Sequence, residues 1–358
     1  MRRIFATTLA IILGLTASAQ KFDHYIDFSY YFDNLEFDRG HETYQESMTI
    51  HAARMTPYFG VKFDADKRTR HKLMMGVDIY KDMGDGVKNF DLIDELSLFY
   101  SFEKITSRAS KFTMAAGVLP RSFSEGVYSR VIFSDATKFL DHNIEGLLLK
   151  YRLPRLYSEL YCDWMGKYGV VSRERFQINT AGQWAVAGPM SLGWNASMYH
   201  YSCSELEHYV VDNALANLYL KLDLSKPNNL DVFYIKSGLL TGYQRDRREK
   251  VNTIPIASES ILAIGMHNVG IENTFVYAPD MMIYYDSIST DLYYGSPFYH
   301  SQSRRPHAYD RLEFYWSKNL SRRVDLKASV IAHFAHGENG EVLFYQGMQQ
   351  KFTVNVTL

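Results

Sequence analysis

The last eight residues of the chain, Lys351–Leu358, read KFTVNVTL. Every even-numbered position in this stretch carries an apolar side chain, and every odd-numbered position carries a polar one. Successive side chains of a β-strand point to opposite faces, so this alternation predicts a strand with one dry face and one wet face. The pattern runs to the final residue, whereas soluble chains usually end in a frayed polar tail.

Several earlier stretches show the same alternation of apolar and polar side chains. They are residues 72–80, 216–223, 311–316 and 324–334. Charged residues at alternate positions in so many strands require a large aqueous face, and a barrel whose apolar side chains face lipid supplies one. A soluble secreted β-sandwich gives the same pattern with the faces exchanged, so the alternation alone leaves both folds open.

The lengths of the connections favour the barrel. Short connections are predicted at 153–155, 187–189, 225–229 and 317–320, and long polar ones at 121–142, 204–210, 244–253 and 286–307. Membrane barrels alternate short turns at one end with longer loops at the other. We therefore expect an all-β fold, a transmembrane antiparallel up-and-down β-barrel of about 16 strands, with 14 to 18 compatible with the pattern.

The N-terminus has the three parts of a secretory signal. Arg2 and Arg3 supply positive charge, residues 4–15 form a short apolar run, and Ala17-Ser18-Ala19 fits a small-residue cleavage site. We predict that residues 1–19 are a cleaved signal peptide and that residues 20–358 form one barrel domain. No later stretch approaches 18 consecutive apolar residues, which excludes a helical membrane protein. A net charge of −1 implies no nucleic-acid partner.

One long connection, residues 121–142, carries the candidate site residues. These are the charged residues Arg121, Glu125, Arg130, Asp135, Lys138 and Asp141. By position, the connection resembles the third loop of porins, which folds inward and narrows the pore, where opposed charges select solutes. The familiar loop motif of porins is absent. The alternative is an external loop of mixed charge that never enters the lumen.

A motif of a different kind lies at His200 and Ser202. Residues i and i+2 of a strand share a face, and a His-polarised Ser is the smallest nucleophilic unit. The pair resembles the outer-membrane phospholipase, with Asn213 or Asn217 as the third member, although the surrounding residues do not match that family. The alternative is an interfacial His and Ser at the barrel rim. Because the surrounding residues do not match that family, we expect that the protein is not an enzyme and has no catalytic residue.

Three smaller features also enter the predictions. The turn at 82–86, with Asp91 beyond it, offers oxygen ligands without the spacing of a calcium loop, so neither a metal nor a cofactor is predicted. The aromatic segment 284–299 suits stacking on a sugar or a protein. Cys162 and Cys203 are predicted to lie on strands that another strand separates, too far apart for a disulfide, and to be free thiols facing the membrane.

A further set of short stretches supports a family resemblance over about a third of the chain. They are AGVLPR (116–121), GVY (126–128), FSD (133–135), IEGLL (144–148), LYCDW (160–164) and RERF (173–176). In these stretches the chain resembles porin-like barrel proteins common in Bacteroidota. The resemblance implies a barrel in the outer membrane of a Gram-negative cell, with no defined substrate.

These observations predict a class of function. We expect an outer-membrane porin-like channel for passive diffusion of small hydrophilic solutes, because a barrel of about 16 strands leaves an aqueous channel. The alternatives are a closed barrel whose external loops bind a glycan or protein partner, and an outer-membrane hydrolase of the phospholipase type. The expected partners are outer-membrane lipid, the solutes and the barrel-assembly machinery. The C-terminal strand resembles the one that this machinery reads, with Leu358 in place of the commoner Phe. A homo-oligomer is compatible with the sequence.

Overall fold

The computed structural model describes residues 20–37, 47–84, 92–284, 295–301, 303–335 and 344–358. They form a closed antiparallel β-barrel of 16 strands, so the predicted fold class and strand number are confirmed. The strands are β1 (Gln20–Phe37), β2 (Met48–Asp66), β3 (Thr69–Asp82), β4 (Ile93–Ser107), β5 (Ser110–Pro120), β6 (Asn143–Arg152), β7 (Leu156–Gly166), β8 (Arg175–Ala187), β9 (Met190–Tyr201), β10 (Val211–Asp223), β11 (Val232–Asp246), β12 (Ile256–Met266, preceded by Val251–Thr253), β13 (Val269–Ala278), β14 (His307–Ser321), β15 (Val324–Ala335) and β16 (Phe344–Thr357).

The barrel closes because β1 pairs with β2 on one side and with β16 on the other. The C-terminal KFTVNVTL stretch lies in β16, and Val354 is paired with Tyr30 of β1. Among the described strands, β12 is the one that is broken into two segments. Its short first segment and its main segment both pair with β11, and Pro255, which has no backbone N–H to donate, lies between them.

The alternation in sequence becomes a difference between the two faces of the barrel wall. On β4, Leu96 and Leu98 point outward and are 64% and 59% exposed, while Ser97 between them and Phe99 after them are buried inside. Apolar side chains are exposed on the outer face of most other strands as well. An apolar exterior around a polar interior is the arrangement of a membrane-spanning barrel and the reverse of a soluble sandwich.

Short turns and long loops lie at opposite ends of the barrel. Both chain ends of the barrel lie at the short-turn end, where Leu358 exchanges backbone hydrogen bonds with Ile26. The predicted short connection at 317–320 is wrong, because β14 continues to Ser321 and the turn falls at residues 322–323. Between β12 and β13, His267 and Asn268 both have positive φ (53° and 70°) and form a two-residue hairpin turn.

Outward-facing aromatic side chains cluster towards both ends of the barrel. Near the short turns, Phe63 stacks on His71, whose ring also contacts Phe102. Near the long loops, Trp164 stacks on Phe176 with ring centroids 5.3 Å apart. Amphipathic rings at these two levels suit the two interfaces of a bilayer.

Helix is scarce in the barrel. The described α-helix, α1 (Asp135–Leu140), has six residues. Across the described ranges, no helix combines the length and apolar character that crossing a bilayer requires. Both cysteines are free, as predicted, and Cys162 is on the outer face of β7. Cys203 lies in the loop after β9, so its predicted place on a membrane-facing strand is wrong.

A charge placed on the outer face should destabilise the barrel in lipid. Leu98→Arg puts a guanidinium near the middle of the apolar belt, and we expect a loss of about 2–4 kcal/mol of unfolding free energy. Urea titration of the protein in phospholipid vesicles measures it. Ser101→Arg, on the inward face of the same strand, is the matched control, and an equal loss there would contradict the assignment of the two faces.

Candidate functional site in the barrel lumen

The connection between β5 and β6, residues 121–142, folds into the barrel, and we call it the lumen loop. Its apolar side chains Tyr128, Val131, Ile132, Phe133 and Phe139 are buried. Hydrogen bonds join it to inward-facing side chains of β7, β9, β12, β13 and β16. These strands lie on opposite sides of the barrel. The lumen loop therefore crosses the interior, and the external alternative does not describe it.

A buried arginine fixes both ends of the lumen loop to the near wall. The guanidinium of Arg121 donates to Asp163 Oδ2 (2.8 Å) and to the backbone carbonyls of Asp141 (2.6 Å) and Asn143 (2.8 Å). Burial alone would lower the pKa of Arg121, but the carboxylates of Asp141 and Asp163 outweigh it and hold that pKa above its ordinary value. Burial likewise raises the pKa of Asp141, against the opposing effect of Arg121.

A carboxylate on β7 holds the next part of the lumen loop. Glu159 accepts hydrogen bonds from Ser124 Oγ (2.6 Å), the backbone N–H of Glu125 (2.8 Å) and Tyr128 OH (2.9 Å). It also accepts one from Tyr157 on its own strand. Glu159 is 1% exposed, and a buried carboxylate is stable only when donors of this kind surround it.

The far wall holds the middle of the lumen loop. Ser129 Oγ donates to Glu259 Oε1 on β12 (2.7 Å), and Arg130 donates to Glu272 Oε1 on β13 (3.0 Å). Burial would lower the pKa of Arg130, whereas Asp135 and Glu272 raise it above its ordinary value. The loop is thus tied to two walls that face each other.

The helix α1 is tied to a third part of the wall. Ser134 caps the helix, because its Oγ accepts from the backbone N–H of Thr137 (3.0 Å). The first helical residue, Asp135, forms an ion pair with Lys351 Nζ of β16 (2.6 Å). Lys351 holds the pKa of Asp135 well below its ordinary value. At the other end, Arg54 of β2 donates to the carbonyl of Leu140 (3.1 Å).

A second inward segment, residues 279–284 and 295–301, packs on the lumen loop. Tyr299 OH donates to Glu259 Oε1 (2.7 Å), and Ser296 N donates to the carbonyl of Arg130 (2.7 Å). Phe298 stacks on Tyr309 with centroids 4.4 Å apart. The predicted exposure of Phe298 and Tyr299 for stacking on a partner is therefore wrong, since both are buried. Residues 285–294 of the same tyrosine-rich segment lie outside the described residues.

Three cavities surround the lumen loop. The inner cavity, about 470 Å³, lies between the loop and the wall of β1, β15 and β16, towards the short-turn end. The outer cavity, about 410 Å³, lies between α1 and the second inward segment. A third cavity, about 260 Å³, lies between the loop and the wall of β10–β13. Asp135 lines all three.

The six predicted site residues are placed differently from the expectation of charges facing one another across a gap. Arg121, Arg130, Asp135 and Asp141 form the ion pairs just described, and Glu125 pairs with Lys150 and Arg152 of β6. Lys138 differs from the other five. Its side chain is exposed, lines the inner and third cavities, and has no ion pair within the described part of the chain.

Sequence reasoning missed the wall residues that hold the loop. The most important are Glu159, Glu259, Glu272 and Lys351. Each lies at an inward position of a strand, and the alternation of the KFTVNVTL stretch marked only Lys351 as facing water. It gave no signal that they face a loop, because the contacts are separated by long stretches of chain.

The His200 and Ser202 motif is arranged differently from the predicted nucleophile. The Nδ1 of His200 lies 2.7 Å from Asp212 Oδ1 on β10, and Ser202 Oγ donates to Cys203 Sγ (3.7 Å). Asn213 and Asn217, the suggested third members, point into the lumen and donate to Met281 O and Glu259. Neither asparagine can therefore orient His200.

The possible calcium turn falls largely outside the described residues, which omit 85–91. Asp82 accepts a hydrogen bond from Tyr80 OH (2.6 Å). Within the described ranges, no group of three or more His, Cys, Asp or Glu side chains is placed to hold a metal ion.

No protein-family model and no curated protein matches the chain. Solved structures do. A loop-deletion mutant of OmpT, an outer membrane protein of Vibrio cholerae, is 8% identical with a TM-score of 0.54 over 95% of this chain and 100% of that one. An anion-selective porin from Comamonas acidovorans is 9% identical with a TM-score of 0.50 over 94% and 99%. OmpF of Salmonella typhi, complexed with daunomycin, is 9% identical with a TM-score of 0.50 over 96% and 99%. The chain thus has a porin-like fold of outer-membrane β-barrels, and at these identities the likeness shows the fold alone.

Removing the arginine at the ends of the lumen loop should release the loop. Arg121→Met leaves Asp163 buried without its partner, which costs about 3–5 kcal/mol. A nitroxide attached at Ala136→Cys, with Cys162 and Cys203 replaced by Ser, should then become more mobile in its electron paramagnetic resonance spectrum. Arg155→Met, in the turn between β6 and β7, is the matched control. Unchanged mobility in Arg121→Met would show that the loop does not depend on this anchor.

The seating of the lumen loop should also depend on pH through His142. Burial, with Arg54 and Arg121 nearby, lowers the pKa of His142 to about 4. In a released loop, His142 would bind a proton at the ordinary pKa of about 6.5. The loop bound in the lumen is therefore fully stable above pH 6.5 and loses stability as the pH falls from 6.5 to 4. The same nitroxide should gain mobility across that window. His142→Gln should flatten the change between pH 6.5 and 4, and a persisting change would assign it to another group.

Proposed function

We propose that the protein is an outer-membrane channel through which small hydrophilic solutes diffuse passively, narrowed by the lumen loop. The observation that supports this function best is that the inner and outer cavities lie on two sides of α1 and both reach Asp135. A constricted aqueous pore requires spaces open to water on both sides of a polar, charged loop. The porin-like fold agrees with this proposal.

We place the constriction of the proposed path at the ion pair between Asp135 and Lys351. This pair bridges the lumen loop to β16 where the inner and outer cavities meet. In the proposed path, a solute that moves between the two cavities passes this pair. The Lys351 side chain is only 10% exposed, so the pair closes part of the cross-section.

The cellular setting belongs to the same proposal. Residues 1–19 direct export and are removed, and barrel-assembly machinery reads β16, whose outward apolar side chains run to the C-terminus. The apolar belt then faces outer-membrane lipid of a Gram-negative cell, and the chain is of the porin-like type found in Bacteroidota. Channels of this fold can work as single barrels or as homo-oligomers, and the proposal holds for either.

A closed barrel that binds a partner is the second candidate function. It is favoured by the buried cluster in which Met281, Tyr299 and Phe298 of the second inward segment pack with Tyr128 and Phe133 of the lumen loop. Such packing fills part of the lumen with apolar side chains. In this case the described cavities would be internal spaces, and only the external loops would function.

Conductance in planar lipid bilayers separates these two functions. We expect the refolded mature chain to give stable current steps. Asp135→Ser combined with Lys351→Ser removes the bridge across the proposed path, so the steps should increase by about twofold or more, as expected when a constriction that dominates pore resistance is widened.

The matched control removes a different ion pair of the lumen wall. Glu103→Ser with Lys111→Ser deletes a pair between β4 and β5, 2.8 Å long, that does not touch the lumen loop, and its steps should stay close to wild type. Inserted protein without current, in wild type and in the Asp135/Lys351 variant alike, would overturn the channel and favour the closed barrel. We propose no catalytic role, so lipid hydrolysis that Ser202→Ala abolishes would favour the hydrolase.

A further inference from the structure

The inner cavity has an excess of positive charge. Its lining includes three cations, Lys138, Lys327 and Lys351. Among the described lining residues, Asp135 is the carboxylate that opposes them. Arg121 also lines it, but that guanidinium is already held by Asp141 and Asp163. The three ammonium groups come from α1, β15 and β16, so they surround the space from the loop side and the wall side.

The existing ion pairs leave part of that charge uncompensated. Asp135 pairs with Lys351 and Glu313 pairs with Lys327, both at 2.6 Å. Glu313 also pairs with Arg311 (2.8 Å), and Arg311 and Arg130 both pair with the neighbouring Glu272, so three cations share these two carboxylates. Lys138 has no carboxylate partner among the described residues and is exposed to the lumen.

The neighbours of Lys138 show the same excess. Desolvation lowers the pKa of Lys138, Asp135 raises it, and the nearby cations Arg130, Lys351 and Arg121 lower it, with a net decrease. Burial is the largest cause of this decrease and the three cations add to it, so an anion bound beside Lys138 would relieve their repulsion.

The approach from the short-turn end repeats this arrangement. Asp23 holds both Lys62 and Lys72 at 2.7 Å, and Glu125 holds both Lys150 and Arg152. Each group carries two cations on one carboxylate. Two carboxylates nearer the rim, Asp27 and Asp325, oppose this charge but are not part of the cavity lining.

The rest of the lining defines the kind of solute. Hydroxyl groups come from Ser29, Ser122, Ser124, Ser329 and Thr353, and aromatic rings from Tyr128, Phe133, Phe139 and Tyr161. Hydroxyl groups exchange hydrogen bonds with a polyhydroxylated solute, and rings pack on the C–H faces of a sugar. A volume of about 470 Å³ is in the range of small-ligand sites.

We propose that the inner cavity is a binding site for a small anionic sugar, a monosaccharide that carries a phosphate or carboxylate group, with Lys138 as the residue that selects the negative charge. This inference names the class of solute for the proposed channel function. Transport of the sugar rests on that function, whereas binding of the sugar does not. Binding itself requires the lumen loop to be seated, whether or not the pore conducts.

Binding is tested with two probes that differ by one charged group, glucose 6-phosphate and glucose. Saturation-transfer NMR on the refolded mature chain in a nonionic detergent measures both at millimolar concentration without any need for current. We expect glucose 6-phosphate to bind and inorganic phosphate to compete with it, and we expect glucose to bind at least about tenfold more weakly.

Three variants make the site assignment falsifiable. Lys138→Gln should weaken glucose 6-phosphate about tenfold, whereas Asp135→Asn, which removes the lining carboxylate, should strengthen it. A gain of affinity cannot come from misfolding. Lys104→Gln, on the outward face of β4 near the short turns, is the matched control and should leave binding unchanged.

The outcomes separate this inference from the channel. Equal binding of the two probes, or binding that neither Lys138→Gln nor Asp135→Asn alters, would overturn the anion site even if the protein conducts. Charge-dependent binding without any bilayer current would keep the site and overturn the channel. If both hold, the reversal potential in a potassium chloride gradient should show anion preference in wild type and less of it in Lys138→Gln.

Discussion

The pairing of β1 with β16 is the constraint on which the rest of the structure depends. In lipid, each backbone N–H and C=O group needs a partner within the protein, and only a closed sheet provides one for every strand. Closure then fixes the faces, because a wall with lipid on one side and water on the other must alternate along each strand. The polar interior follows from that alternation, and it is this interior that can hold a charged loop.

Charge holds the lumen loop where it lies. A loop of 22 residues inside a barrel must bury polar backbone and side chains, which costs free energy unless each group finds a partner. Asp163, Glu159, Glu259 and Lys351 supply those partners from three sides of the wall. The same groups neutralise most of the loop's own charges, so Lys138 is left as the exposed charge that faces solutes. In the proposed channel, the ion pairs that fix the loop also leave Lys138 to set the selectivity.

The sequence predicted the barrel well because period-two alternation is a local signal that lipid and water impose on every strand. The sequence also located the connection 121–142 and its six charged residues, because a long polar stretch interrupts the strand patterns there. It placed one turn wrongly, at 317–320, because the polar residues there, among them the inward-facing Ser317, belong to a strand that continues to Ser321. It also read Phe298 and Tyr299 as exposed, since a sequence does not show that a long loop folds inward. Those contacts join residues far apart in the chain, such as Ser129 and Glu259, which no local pattern reveals.

The position of the lumen loop is the central claim, and a cross-link tests it most directly. Cysteines at positions 135 and 351, in a chain whose Cys162 and Cys203 are replaced by Ser, can be joined by a short bifunctional thiol reagent in intact membranes. A loop seated against β16 predicts rapid cross-linking within one chain, seen as altered migration of the unfolded protein. An absence of this cross-link, while a cysteine pair at the neighbouring wall positions 327 and 353 is joined readily, would contradict the account and place the loop elsewhere.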